Sequence, residues 1–422
     1  MPKIDWPQIR RFVGLLTGSA TQFVSLAILS LILAKYLTVE EFGVTRTVAS
    51  YMIVLTILGH MTIHDALATF VAGAKNTKDK SQYVTHGVTM VTCLSALLTI
   101  AFYLFVTNSD MWTGLTKESL STVVLILPLE CLSGLVLSLL NAAGNLRTMA
   151  VFSGAYGVIP LGIIAPSAIL WGMQGWLYAR LISCCIVFGF GAFLVRKFLR
   201  MNSVDFNKAM DLVRFARVQF LSGALSTVML SGDIIVLERL TRDSRAVAHY
   251  GLAVLFTRPL AFVPATLGKL YFREIASTES NPTRQWKSIR RLLGLSLAIC
   301  FLLALVVFTF GGALLSRLYG IEYQDSIPVL EILSVNILFS GLWSALSTTN
   351  IAIRKPSFSA ITSVAGLIAA TIMFVIFVPS TGALGAAWGM TAANLTGCAI
   401  GLFLLWRKWR QSNQARDITC AQ

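Results

Sequence analysis

The stretch that decides the fold is LLGLSLAICFLLALVVFTFGGALLS, residues 292–316, which contains no Asp, Glu, Lys or Arg. An α-helix needs about 20 residues to cross the ~30 Å hydrocarbon core of a bilayer. This run is long enough and continuously apolar, whereas a strand of a membrane barrel alternates apolar and polar residues. It therefore predicts a transmembrane helix.

The composition shows that such runs dominate the chain. Of 422 residues, 56% are hydrophobic and 13% are charged, whereas a soluble domain is about 25% charged. The sequence predicts an all-α integral membrane protein with about 12 transmembrane helices. The predicted spans cover residues 12–34, 44–65, 84–106, 119–141, 150–171, 174–195, 215–237, 246–268, 292–316, 326–351, 357–378 and 382–406.

The basic residues predict how the spans are oriented. The net charge is +15, and most of the 34 Lys and Arg fall in the loops of one predicted side. Cytoplasmic loops are enriched in Lys and Arg, so both termini are predicted to be cytoplasmic. A nucleic-acid partner is not predicted, because the charges form no basic stripe on a soluble domain.

A basic segment divides the predicted spans six and six. Residues 1–195 are predicted to form an N-terminal six-helix bundle, residues 196–214 a basic cytoplasmic linker, and residues 215–422 a C-terminal six-helix bundle with a short basic cytoplasmic tail. The predicted outward loops are short, which leaves no room for a soluble domain.

Three arginines lie inside predicted spans, and they are the candidate substrate-binding cations: Arg258, Arg46 and Arg180. A charge near the bilayer centre costs about 2.5–3.5 kcal/mol even on the lenient insertion scale. Arg258, next to Pro259, therefore needs a water-filled cavity or a buried partner. Arg46 and Arg180 lie nearer the outer interface, where their side chains could instead reach the headgroups.

Other ionisable residues within the spans are candidates for proton or cation coupling: Asp233, Glu130, His60 and His64. Asp233 and Glu130 are also the candidate partners of Arg258. The spacing of His60 and His64 suits a metal on a helix, but the chain has four histidines in all. The cysteines form no cluster with a partnering histidine, so neither a metal site nor a cofactor is predicted.

Three segments carry a resemblance to a known family. They are LAKYLTVEEFG at residues 33–43, GDIIVL at residues 232–237 followed by Tyr250-Gly251, and GALGAA at residues 382–387. Their order and spacing resemble the polysaccharide and O-antigen flippases (Wzx type) of the multidrug/oligosaccharidyl-lipid/polysaccharide exporter superfamily. Each motif alone is degenerate, and the likeness covers essentially the whole chain.

The resemblance implies two pseudo-symmetric six-helix bundles in a V-shaped transporter with a cationic cavity. It implies a flippase that carries a polyprenyl-diphosphate-linked oligosaccharide across a bacterial inner membrane, with no catalytic residues. Its expected partners are that lipid-linked glycan, membrane lipids, a polysaccharide polymerase and a chain-length regulator.

Two other functions remain open on the sequence. A drug/cation antiporter of the same superfamily would have the same helices, although its cavity should carry more acidic than basic residues. A membrane-embedded glycan polymerase or ligase would need a sizeable periplasmic loop. ATP-driven transport by this chain alone is disfavoured, because it has no G-x-x-x-x-G-K-[ST] loop.

Overall fold

The computed structural model describes residues 6–74, 76–107, 117–142, 146–196, 206–277 and 282–421. Within these ranges the backbone is helical except for short turns. The chain divides into two compact units, Met1–Ser231 and Gly232–Gln422. The predicted division at residues 196–214 stays a prediction; residues 206–214 of that segment are already helical.

The first unit contains six helices and most of a seventh. They are α1 (Trp6–Tyr36), α2 (Val39–His60), α3 (Ile63–Gly73), α4 (Thr77–Thr107), α5 (Lys117–Ala142), α6 (Leu146–Val195) and the greater part of α7 (Phe206–Thr241). The second unit contains the last residues of α7, then α8 (Ser244–Thr257), a 3-10 turn (Arg258–Ala261), α9 (Phe262–Ser277), α10 (Pro282–Tyr319), a 3-10 turn (Ile321–Tyr323), α11 (Ser326–Ala352), α12 (Pro356–Thr381) and α13 (Ala383–Ala421).

The helices have the length and apolarity of membrane spans. Among the described residues, nine are long and apolar enough to cross a bilayer, and α7 makes a tenth if its two parts, bent by 44° after Leu225, form one span. Large apolar side chains also face outward; Leu97, Trp171 and Phe310 each expose 67–68% of their surface. Such a surface suits lipid. The chain is therefore a multi-pass membrane protein, while the count of about twelve spans stays a prediction.

The α6 segment contains two of the predicted spans. Its residue Gly172 has φ 56° and ψ −140°, which is not helical. At 1.5 Å per residue, a straight helix of 50 residues would be about 75 Å long, more than twice the hydrocarbon thickness. The break at Gly172 divides it near the predicted boundary between residues 171 and 174.

The same turn recurs between α12 and α13. Gly382 has φ 56° and ψ −122°, and each of these glycines is followed three residues later by another, Gly175 or Gly385. A Cβ on Gly175 would lie 2.1 Å from the carbonyl oxygen of Ser167, and one on Gly385 would lie 2.6 Å from the backbone of Phe377. The turn inside α6 and the turn between α12 and α13 thus share the sequence pattern G-x-x-G.

We predict that Gly172→Ala destabilises the protein by about 1–3 kcal/mol, because only glycine adopts this backbone conformation without strain. The midpoint of thermal unfolding in detergent should fall. Gly162→Ala in the same segment is the matched control, since a Cβ there meets no atom within 4 Å and alanine favours helix. An equal loss of stability in both variants would contradict the assignment of strain to Gly172.

Two predicted spans are interrupted. The predicted span 44–65 breaks at Met61 and Thr62, whose φ values are 43° and 55°. The predicted span 246–268 breaks at Arg258, where the α-helix gives way to the 3-10 turn. Pro259 explains the second break, because proline lacks the N–H that an α-helix needs and clashes with the preceding turn.

Each unit has its own apolar core. In the first unit the largest fully buried side chains include Phe42, Trp176 and Phe152. Thr38 caps α2 and forms a capping box with Glu41, which fixes the start of the helix that carries Phe42. In the second unit Tyr250 is fully buried, and a separate core cluster includes Leu292 and Leu346.

Candidate functional site

The first unit contains a partly open cavity of about 330 Å³ between α1, α2, α5 and α6. Its walls are mainly apolar, but they carry two guanidinium groups, one carboxyl group and several hydroxyls. The charged residues are Arg46 of α2, Glu130 of α5 and Arg180 of α6. The structure thus brings three of the predicted site residues to one cavity inside a single unit.

Arg180 and Glu130 form an ion pair in this cavity. The guanidinium Nη2 of Arg180 donates to Oε1 of Glu130 at 2.7 Å, and the two side chains are 21% and 14% exposed. The guanidinium also lies 5.7 Å from the ring centroid of Trp176, a distance that permits a cation–π contact. Its Nε is buried and has no hydrogen-bond partner among the described residues, so the pair is not fully satisfied.

Arg46 lies in α2 two turns after the capping box and is half-buried at the same cavity. Thr45 and Tyr156, which carry hydroxyl groups, line the same cavity. Two cationic residues and one acidic residue give the wall a net positive formal charge. Such a wall attracts anions, and more strongly in a site shielded from water than at the protein surface.

The second unit holds a hydrogen-bonded cluster of Asp233, Tyr250 and Arg258. Oδ2 of Asp233 accepts a hydrogen bond from the Tyr250 hydroxyl and another from Nη2 of Arg258, each at 2.5 Å. The Asp233 side chain has no exposed surface, whereas that of Arg258 is 28% exposed. Oδ1 of Asp233 is buried without a hydrogen-bond partner in the described part of the chain.

This cluster shows which of the two candidate partners forms an ion pair with Arg258. Of the two candidate partners of Arg258, Asp233 forms the ion pair, while Glu130 pairs with Arg180. The Arg258 side chain is therefore ion-paired but still partly exposed. Sequence reasoning missed the role of Tyr250; its only signal was the Tyr250-Gly251 motif, to which no contact was assigned.

The interruption between α2 and α3 places two histidines together. The Nδ1 atoms of His60 and His64 lie 3.1 Å apart, and the backbone N–H of Thr62 donates to Nδ1 of His60 at 3.2 Å. The Thr62 bond makes Nδ1 of His60 an acceptor, so a hydrogen bond between the two rings requires the tautomer of His64 that carries a proton on Nδ1.

The other nitrogen of His64 faces a carboxylate. Its Nε2 lies 3.4 Å from Oδ1 of Asp65, a contact that is attractive only when Nε2 also carries a proton. The rings of His60 and His64 and the carboxyl group of Asp65 thus form a cluster of titratable groups at the end of α2.

The structure therefore places the predicted residues in three clusters. Arg46, Arg180 and Glu130 share the first unit's cavity, Asp233 and Arg258 form the second unit's ion pair, and the histidines lie at the break after α2. Their roles in binding and coupling stay predictions.

Comparison with known proteins shows that this chain is similar to transporters along most of its length. No family model matches the sequence. The chain is 23% identical to the "Putative O-antigen transporter" of Shigella flexneri over 380 residues, which cover 84% of this chain and 87% of that protein. This relative agrees with the resemblance that the sequence motifs carry.

Solved structures share the fold. The lipid II flippase MurJ in an inward closed conformation aligns with a TM-score of 0.77 at 14% identity, over 94% of this chain and 87% of that one. An inward-facing multidrug resistance MATE family transporter aligns with a TM-score of 0.74 at 16% identity, over 96% of this chain and 99% of that one. A transporter from Pyrococcus furiosus, whose binding pocket is described as having reversed polarity, aligns with a TM-score of 0.64 at 15% identity, over 96% of this chain and 95% of that one.

These proteins are named as transporters or flippases, in agreement with the prediction of a transporter. The alignments confirm the predicted all-α membrane fold. The chain is an integral membrane protein that shares the fold of the MOP-superfamily transporters, as seen in the lipid II flippase and the MATE transporters.

Proposed function

We propose that this chain is a flippase that moves a polyprenyl-diphosphate-linked oligosaccharide, an O-antigen or other surface polysaccharide repeat unit, across the bacterial inner membrane by alternating access. The diphosphate is the part of this substrate that most opposes transfer, because its charges are costly in hydrocarbon. The protein must therefore offer it cations at membrane depth. A polymerase and a chain-length regulator are proposed to act on the translocated product.

The observation that carries the proposal is the accessible arginine at the broken span. Arg258 lies where α8 ends beside Pro259, remains 28% exposed, and is bonded to the buried carboxylate of Asp233. Guanidinium groups bind phosphate oxygens through paired, charge-assisted hydrogen bonds. A diphosphate would compete with Asp233 for this guanidinium, so that Arg258 is held in place when the substrate is absent and can bind it on arrival.

The relatives support a lipid-linked glycan as the substrate. One is named for O-antigen and another for lipid II, whereas the MATE structures are named for multidrug resistance. The excess of arginine over acidic residues at the first unit's cavity favours an anionic substrate over a cationic drug, which is the alternative function.

The proposal is tested in cells. Deleting the gene should leave lipid-linked repeat units on the cytoplasmic face and strongly reduce surface polysaccharide, and expression of the wild-type chain should restore it. Undiminished surface polysaccharide together with increased sensitivity to cationic drugs would reject the flippase and favour the antiporter.

The proposed orientation has both termini in the cytoplasm. In a cysteine-free background, Lys287→Cys near the start of α10 should react with a membrane-impermeant maleimide only from the cytoplasm. Asp325→Cys before α11 should react only from outside. Both side chains are exposed, so access does not limit either reaction, and the reverse labelling pattern would overturn the orientation.

We propose that reversible protonation of His64, in contact with His60, contributes to coupling, with Glu130 and Asp233 as further candidates. Both carboxylates are bonded to arginines, whereas His64 faces Asp65 and His60. His64→Gln should remove the response of transport to an imposed proton gradient but keep transport driven by membrane potential. A variant that still responds fully to the proton gradient would eliminate His64 from coupling.

A further inference from the structure

The second unit carries a strongly basic surface where α10 begins, where α11 ends, and at residues 405–411 of α13. The first turns of α10 expose Lys287, Arg290 and Arg291, and the turn between α11 and α12 exposes Arg354 and Lys355. Arg354 has φ 56°, a left-handed conformation that ends α11 and lets the chain reverse. The segments 282–291, 353–358 and 405–411 contain no Asp or Glu.

The third of these segments brings tryptophans into the basic surface. In α13, Arg407 and Arg410 are exposed and Lys408 is half-buried. The rings of Trp286 and Trp409 stack at a centroid distance of 5.4 Å and an interplanar angle of 19°. Tryptophan at the ends of membrane helices is typical of the interface between hydrocarbon and water, so this end of the unit lies at headgroup level.

A cleft of about 40 Å³ lies beside the stacked rings, between α10, the turn after α11, and α13. Ile289, Ile353 and Leu405 form its apolar wall, and Lys408 belongs to its lining. Nζ of Lys408 donates to the backbone oxygen of Ile353 at 3.3 Å. This bond holds the ammonium group in the cleft, next to the backbone of the Arg354 turn.

The neighbouring α9 carries one carboxyl group, that of Glu274, which does not line the cleft. The Ser288 hydroxyl donates to Oε1 of Glu274 at 2.6 Å. The cleft therefore presents an ammonium group, aromatic rings and surrounding guanidiniums. Apolar side chains of α13 continue from it along the lipid-facing surface, with Leu402, Phe403 and Trp406 exposing 40%, 56% and 41% of their surface.

We propose that this cleft binds the headgroup of an anionic phospholipid of the surrounding bilayer. The phosphate lies against Lys408 and the exposed guanidiniums, and the acyl chains follow the apolar surface of α13. Basic pockets between membrane helices at the charged leaflet bind acidic headgroups in this manner, each Lys or Arg near the surface contributing about 1 kcal/mol. The site is independent of the substrate proposed above, because it uses residues of the second unit's end surface only.

The test is a competition between two lipids on the purified full-length protein. Native mass spectrometry after mixing with phosphatidylglycerol and phosphatidylcholine should show selective retention of phosphatidylglycerol. Lys408→Gln should reduce that retention about fivefold, and Lys408→Arg should largely keep it. Arg317→Gln is the matched control, because it removes one exposed positive charge at the opposite end of α10.

Equal retention of both lipids by the wild-type protein would overturn the proposal. So would a Lys408→Gln variant that retains as much phosphatidylglycerol as the wild-type protein does. If Lys408→Gln does not fold in detergent, Trp409→Leu removes one ring of the stack without removing a charge. Phosphatidylglycerol retention must then fall in Trp409→Leu and stay unchanged in Arg317→Gln. Undiminished retention in Trp409→Leu would reject the site.

Discussion

Arg258→Ala is expected to abolish translocation of the lipid-linked glycan and to destabilise the second unit. The substitution leaves the carboxyl group of Asp233 fully buried, with the Tyr250 hydroxyl as its remaining hydrogen-bond donor among the described residues. Removing one partner of a buried ion pair costs about 3–5 kcal/mol, because the other charge stays in the low-dielectric interior. Loss of transport in this variant alone would therefore combine a folding defect with the loss of a substrate contact.

A neutral pair separates the two effects. In Asp233→Asn with Arg258→Gln, no unpaired charge remains, and the asparagine oxygen can still accept from the Tyr250 hydroxyl. Stability in detergent should return close to wild type, while transport should stay at least about 30-fold reduced, since a charged contact to the diphosphate is worth about 2 kcal/mol or more.

Two further variants sharpen the result. Arg258→Lys keeps the charge but cannot form paired hydrogen bonds, so transport should be restored only in part. Arg245→Gln removes an exposed arginine from the same helix, α8, and should transport normally. Wild-type transport by the neutral pair would dismiss Arg258 as a substrate ligand and leave it as a structural ion pair.

Glu130→Ala is expected to destabilise the first unit by about 3–5 kcal/mol. Arg180 keeps its charge at any accessible pH, and the variant leaves it beside the cavity without its carboxylate partner. The apparent midpoint of thermal unfolding in detergent should fall strongly. The uncharged control is Ser133→Ala, in the same helix and at the same cavity, which should change stability by about 1 kcal/mol or less.

The double variant Glu130→Gln with Arg180→Met removes both charges and should recover most of the lost stability. A double variant as unstable as Glu130→Ala would show that the ion pair is not the source of the loss. Transport by the stable double variant then reports on the cavity itself. If Arg180 helps to attract the diphosphate, transport falls although the protein folds.

The regular parts of the fold follow from the sequence because each span is a continuous apolar run. The breaks follow only where a special residue marks them. Pro259 marks the interruption at Arg258, although residues 246–268 are predicted as one continuous span, and Gly172 lies at the predicted boundary of two spans. The break at Met61 and Thr62 has no such signal: both residues are non-glycine in the left-handed region. The Thr62 hydroxyl bonds to the backbone oxygen of Ala216 at 3.1 Å, a tertiary contact that no local pattern contains.

The pairing of the buried charges was likewise only partly predictable. Hydropathy identifies Arg258 as a costly residue that needs a partner or water, whereas it places Arg180 near the interface, where the side chain could reach the headgroups. It cannot choose between Glu130 and Asp233 as the partner of Arg258, because that choice depends on which helices pack together. The paired residues are 50 positions apart in one case and 25 in the other. The role of Tyr250 was missed for the same reason, since its hydrogen bond to Asp233 joins two different helices, α8 and α7.

The proposed substrate of this chain is an anionic, diphosphate-linked glycan lipid that crosses the bilayer. The most direct measurement reconstitutes the purified protein in vesicles with a fluorescent polyprenyl-diphosphate oligosaccharide and follows its accessibility to an impermeant quencher. Wild-type protein should equilibrate the lipid between leaflets, and the stable neutral pair at positions 233 and 258 should not. Vesicles that export a cationic drug but leave the glycan lipid in its original leaflet would contradict the proposed flippase function.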